Sequence, residues 1–213
     1  MYKMKIQWLG HASFKIKINH TVIYIDPYFG DDYDEKADLI LVTHGHYDHS
    51  SSEKINMIRV DDTIVITSKA NAGNINAIGM SPGEEREFKD IKIRTVPAYN
   101  IGKQFHPKDR GDLGFIITSG DKSVYHSSDT DIIPEMDDLR PTLALIPIGG
   151  TYTMNAREAA KAIEQIKPKI VIPMHWGGGI VGNMDDAELF KELVEANHEI
   201  KVRILKEGEE IEI

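Results

Sequence analysis

The sequence predicts a mixed α/β domain of the α+β kind, richer in strands than in helices. Three observations carry that reading. Short apolar runs bounded by Gly, Pro, Asn and Asp recur along the chain, as buried or half-buried strands do. Two segments of the second half combine helical spacing with N-capping residues. In both halves, side chains of metal-ligating type stand directly after an apolar run, where sites on α/β sheets form. The 213 residues fit one domain over 1–213. A chain of that length buries roughly 70% of the surface its unfolded form exposes, so its core needs no staples.

Residues 4–9 and 14–18 alternate apolar with polar around Gly10-His11 and read as a hairpin. Residues 22–25 form a third strand, stopped at Asp26-Pro27. The acidic stretch 31–35 reads as a solvated loop. Leu39-Ile40-Leu41-Val42 is a buried strand. Residues 50–57 suit a short helix, 63–67 a strand, and 69–78 a helix capped by Gly79. Residues 91–96 are a strand. Residues 101–112, with Gly102, Pro107 and Gly111 among charges, form a long loop of the functional kind. Residues 113–118 and 123–126 make a second hairpin, and 143–148 a nearly continuous apolar strand before Gly149-Gly150. Over 155–166, Asn155 and Glu158 make a capping box, and Ala156, Ala159, Ala160, Ile163 and Ile166 share a face. Residues 170–172 are a strand ending at Pro173-Met174-His175-Trp176, 185–196 a second capped helix, and 200–205 and 211–213 closing strands.

The densest chemistry is Thr43-His44-Gly45-His46-Tyr47-Asp48-His49. Three imidazoles and a carboxylate follow the strand at 39–42, and these are ligands of zinc and related first-row metals. A lone histidine would read as a polar loop residue; this spacing reads as a metal site. His20 and His198, in a turn and at a helix end, carry no such pattern.

Bulk composition narrows the rest. Hydrophobic residues are 41% and charged residues 28%, which suits a soluble globular protein. The formal charge of −9 and the lack of a Lys/Arg run argue against nucleic acid and anionic lipid. With no cysteine, disulfides and thiolate sites are excluded, and a reducing, cytoplasmic setting is expected. The N-terminal residues do not read as a signal peptide, and no run reaches the roughly 20 apolar residues of a membrane helix.

These residues resemble the metallo-β-lactamase superfamily, whose H-x-H-x-D-H hallmark is matched by His44, His46, Asp48 and His49. The resemblance covers most of the chain, since Asp26, Asp129 and His175 follow in the family's order. It implies a four-layer αββα sandwich with a dinuclear site at one edge. It implies that His44 and His46 hold one divalent ion, that Asp48, His49 and His175 hold a second, and that Asp129 bridges them. Asp26 is then expected to accept a hydrogen bond from a ligand imidazole. Where the family has a further histidine, this chain has Asn100, a poor zinc ligand; His106 is preferred as the third ligand of the first ion, against a site one histidine short. Ser128 stands where the family commonly has glycine. Gly10-His11-Ala12-Ser13-Phe14, Tyr125-His126 and residues 147–154 look like the branch of ascorbate-6-phosphate lactonases and N-acyl phosphatidylethanolamine phospholipases D.

The chemistry so implied is hydrolysis of a small ester, lactone or phosphodiester by a metal-bridging hydroxide. Asp48 and His126 are the candidate catalytic residues, Asp48 to orient the hydroxide or take its proton. His11 and His126 are read either as substrate contacts and proton donors or as histidines satisfied at strand ends. Tyr152 and Lys103 are expected to shape the pocket. Zn2+ is the expected metal, with Mn2+ and Fe2+ open. The expected partner is a small-molecule substrate, with a homo-oligomer left open. The competing readings are a ribonuclease Z-like nuclease, which the acidic balance disfavours, and a non-catalytic metal- or ligand-binding module. A flavodiiron-type reductase would carry glutamate at His46.

Overall fold

The computed structural model describes residues 3–197 and 199–213; His198 lies outside them. Two seven-stranded sheets face each other. The first has the order β14-β1-β2-β3-β4-β5-β6, built from β1 (Met4–Gly10), β2 (Ser13–Ile18), β3 (Thr21–Ile25), β4 (Leu39–Val42), β5 (Ile64–Ser68), β6 (Ile78–Met80) and β14 (Glu210–Glu212). The second has the order β13-β12-β11-β10-β9-β8-β7, from β7 (Glu85–Phe88), β8 (Ile91–Pro97), β9 (Leu113–Ser119), β10 (Lys122–His126), β11 (Leu143–Pro147), β12 (Ile170–Met174) and β13 (Lys201–Val202). The expected αββα sandwich is what forms.

Alternation explains the layers. Ile16, Ile23, Leu39 and Leu41 point from the first sheet into the shared core with Ile93, Phe115, Val124 and Leu145 of the second. The intervening Val22, Tyr24, Ile40 and Val42 point outward, where Ile55 and Ile58 of α1 (Ser52–Ile58) cover them. On the far side, α3 (Ala156–Ile166) and α4 (Met184–Asn197) cover the second sheet. Asn155 and Glu158 close both halves of the capping box of α3. Its buried face holds Ala162 with Ala156, Ala159, Ile163 and Ile166; Ala160 lies at the margin.

Strand direction decides where function can sit. Within the first sheet β1, β3 and β4 run one way, within the second β8, β10 and β12 do, and the His175 N–H donating to the His11 carbonyl at 2.9 Å joins both sets of strand ends at one edge. The segments carrying His11, Asp26, His44–His49, His106, Asp129 and His175 therefore leave at that edge. Trp8 and Trp176 stack across the two sheets beneath it, ring centroids 5.2 Å apart.

Several local readings change. The helix expected over 69–78 is one turn, α2 (Ala72–Ile75), ended by Asn76 at φ 49°. Gly79 is a residue of β6, where a Cβ would come within 3.0 Å of the Lys69 backbone, so the glycine serves close packing and not a cap. β7 escapes the alternation rule because it is an exposed edge strand of charged residues. The strand expected over 200–205 shortens to β13. The acidic loop is also anchored: Tyr33 is buried against Tyr24, and Lys15 and Lys17 pair with Asp34 and Glu35.

Candidate metal centre

Six of the nine histidines converge at the shared edge, with Asp48 and Asp129. Their potential donor atoms fall into groups within 4.8 Å of one another: His44, His46 and His106; His44, His49 and Asp129; and His11, Asp48, His49 and His175. Asp129 Oδ2 is the meeting point. His49 Nε2 lies 3.3 Å from it, His106 Nε2 3.4 Å and His175 Nε2 3.1 Å. His49 Nε2, His175 Nε2 and Asp129 Oδ1 are nonetheless buried without a directional hydrogen-bond partner among the described residues. Buried polar atoms are seldom left so, and a shared cation would satisfy all three.

Buried partners fix the ring tautomers. The Thr43 N–H donates to Asp26 Oδ1 at 2.7 Å and the Thr43 hydroxyl to Asp26 Oδ2 at 2.8 Å. That hydroxyl must then accept from His44 Nδ1–H, 2.9 Å away, which turns the acceptor His44 Nε2, 3.1 Å from His46 Nδ1, toward the cluster. His49 Nδ1–H donates to Asp26 Oδ2 at 2.7 Å, and His106 Nδ1–H to Asp112 Oδ2 at 3.2 Å. In all three rings Nε2 is turned toward the cluster, the arrangement metal-binding histidines use. Asp26 therefore sets His49 directly and His44 through Thr43.

Charge follows the same geometry. Burial and the neighbouring His49 hold His44 well below the usual histidine range. Burial also opposes charge on His49, but Asp129 and Asp26 outweigh it and raise His49 well above that range. Burial likewise disfavours the Asp129 anion, yet His175 and His49 hold its carboxyl well below the ordinary value. For Asp48, burial is outweighed by the hydrogen bond from His11, and its pKa falls to about 2.

The expected site residues fare as follows. His44, His46, Asp48, His49, Asp129 and His175 come together. His106 joins the first group, and Asn100 does not: its side-chain amide donates to the Phe105 and Tyr152 carbonyls at 3.0 and 2.8 Å, clamping the loop that delivers His106. His11 sits inside the second group, its Nε2 3.3 Å from Asp48 Oδ2 and its ring 4.0 Å from that of His175. Burial lowers its pKa to about 4, so it is neutral and donates from Nε2. Tyr152 lines the cleft. The expectation for His126 changes. Its ring is fully buried, accepts from the Ser128 N–H at 3.2 Å and donates to the Ala12 carbonyl at 3.0 Å. With both nitrogens used, it braces the Asp129 turn against the first sheet and has no free atom for proton transfer.

Several contributors were not expected. Asp112 orients His106; Arg110 Nε pairs with Asp112 at 3.1 Å and its Nη1 lies 2.6 Å from His46 Nε2. Only their place in the loop with His106 hinted at this. The backbone bends sharply to assemble the site. His11, Asp26, His106, Ser128 and His175 all have φ between 45° and 64°. Such conformations cost about 1–3 kcal/mol each and cluster at functional sites. At Gly45 a Cβ would stand 2.6 Å from Asn71 Oδ1, so that side chain would have to shift; at Gly149 one would stand 2.3 Å from the His175 carbonyl, a backbone atom.

Two facing sheets with a His/Asp cluster at a common strand edge are the architecture of a metallohydrolase-type sandwich. The family model for the beta-lactamase superfamily domain matches residues 5–175, and the chain belongs to that family. It is 34% identical to a metal-dependent hydrolase of Hyperthermus butylicus, across 96% of this chain and 97% of that protein. Among solved structures, one from Parabacteroides distasonis is 31% identical with a TM-score of 0.87, covering 98% of this chain and 94% of the other. Igni18, a metallo hydrolase of Ignicoccus hospitalis, is 26% identical with a TM-score of 0.84, covering 99% and 98%.

Proposed function

We propose that the protein is a dinuclear metal-dependent hydrolase acting on a small ester, lactone or phosphodiester. The observation that carries this reading is the convergence of His49, His106 and His175 Nε2 on one oxygen of Asp129, with buried donor atoms left unpaired around it. His44, His46 and His106 would hold one cation, Asp48, His49 and His175 the other, and Asp129 both. Imidazoles and carboxylates without thiolate suit Zn2+, Mn2+ or Fe2+. When bound, such ions supply Lewis acidity and lower the pKa of water toward about 7.

The chain's own groups do the rest. Asp48 stays ionised and is held by His11, so it can accept a hydrogen bond from an attacking water and fix its direction. Asp26, Thr43 and Asp112 keep the ligand rings turned inward before any ion arrives. No helix among the described residues is long and apolar enough to cross a membrane. We place the protein in the cytoplasm because a cysteine-free chain suits a reducing compartment. The test is His46→Ala in metal-loaded protein. His46 is half-buried, so the fold persists by circular dichroism while ester, lactone and phosphodiester hydrolysis is lost. Full activity in that variant would overturn the proposal.

A further inference from the structure

The cleft over the cluster holds about 220 Å³, and its mouth is apolar. Tyr47, Phe105, Tyr152 and Ile180 line it with the metal-type residues. Tyr47 is 72% exposed, Phe105 43% and Tyr152 39%, and Ile101, 61% exposed, stands on the same loop as Phe105. Phe105 and Tyr152 meet edge to face at 5.1 Å, which gives the mouth one fixed aromatic wall. These residues come from separate loops, after β4, β8, β11 and β12, yet face one opening. Exposed apolar surface collected in this way marks a binding site, unlike apolar residues scattered singly.

Cations are missing from the same place. None of the described residues lining the cleft is Lys or Arg. The three cations of the loop that carries Phe105 are already engaged, Lys108 with Glu135 at 2.9 Å. Lys103 pairs with Asp131 and donates to the Thr153 carbonyl at 2.7 Å. Arg110 is tied to Asp112 and His46. A phosphate or carboxylate carried on the substrate outside the reacting group would find no free counter-charge here, within a protein of formal charge −9.

We propose that the substrate carries an uncharged apolar arm, alkyl or aryl, beside the bond to be cleaved, and that Phe105, Tyr152 and Ile180 select it. The proposal rests on the hydrolytic reading and narrows it to apolar esters and lactones, away from sugar phosphates. The cleft is of limited size, so the benefit of a longer arm should end once the arm reaches its rim.

The test uses the metal-loaded protein and two series. In the first, kcat/KM is measured for straight-chain acyl esters from acetyl to decanoyl, with a succinyl ester as the charged control. In the second, the carboxylates from acetate to decanoate are titrated by calorimetry. Burial of a methylene predicts a gain of up to roughly fourfold per carbon in each series, levelling once the arm fills the cleft, with the succinyl ester poorer than the butanoyl. Phe105→Ala should flatten the slope in both. Graded binding with no turnover of any ester or lactone supports the apolar mouth and overturns the hydrolytic reading. A series flat in chain length, or a preference for the succinyl ester, overturns the inference even if hydrolysis is found.

Discussion

Asp26→Asn is the most informative single change. Asp26 is fully buried, and its two oxygens receive Thr43 N–H, Thr43 O–H and His49 Nδ1–H, all between 2.7 and 2.8 Å. Asparagine preserves the shape but offers one acceptor oxygen and one NH2 group. With the oxygen kept on the Thr43 amide, the NH2 faces both the Thr43 hydroxyl and His49 Nδ1. His49 must then move its proton to Nε2, the atom aimed at Asp129, and the Thr43 hydroxyl no longer needs to accept from His44. Loss of such a partner lowers metal affinity about 10–100-fold, or about 1.4–2.7 kcal/mol. Losing charge-assisted hydrogen bonds worth about 1.5–3 kcal/mol each should also lower the stability of the metal-free protein by a few kcal/mol. Competition titration against a chelating dye measures the first effect, and urea unfolding of the metal-free protein the second. An Asp26→Asn protein binding metal within twofold of the parent would refute the claim that Asp26 sets the ligand tautomers.

Other outcomes follow from the same geometry. In the metal-free protein His49 has a raised pKa, so the stability it contributes is complete below its unfolded value near 6.5 and is lost as pH rises through the higher folded value. A cation must displace that proton, so affinity should climb with pH, and calorimetry at pH 7 in buffers of different ionisation enthalpy should show about one proton released; none released would contradict the assignment. His11→Gln keeps an N–H near Asp48 and should retain most metal affinity, whereas His11→Leu should lose about tenfold at the second site. Equal losses in both variants, read by titration, would instead make His11 a ligand.

The sequence showed the site more fully than the scaffold around it. The His44–His49 cluster was legible because ligand types crowd into one turn, whereas Asp129, after a hairpin, and His175, at the end of a late strand, were legible through the family's order of residues. The core strands were legible because burial on both faces leaves an apolar run, as in β4 and β11. The edge strand β7 was not, since solvent on one side lets charged residues occupy it. Nor could spacing show that Asp112 orients His106, or that Asn100 clamps its loop, because those contacts depend on how residues 101–112 fold back. His126 misled for a related reason. A histidine ending a strand beside the site has the sequence signature of a catalytic group, and only the carbonyl of Ala12, 114 residues away, shows that its ring is occupied. The apolar mouth is equally invisible in one dimension, being assembled from four loops.

The central claim is that one carboxylate, Asp129, joins two cation sites. Mass spectrometry of the folded protein under non-denaturing conditions, after loading with zinc and removal of excess, tests it directly. Two ions per chain are expected in the parent, and none after Asp129→Ala. A single ion in the parent, or two retained without Asp129, would contradict it.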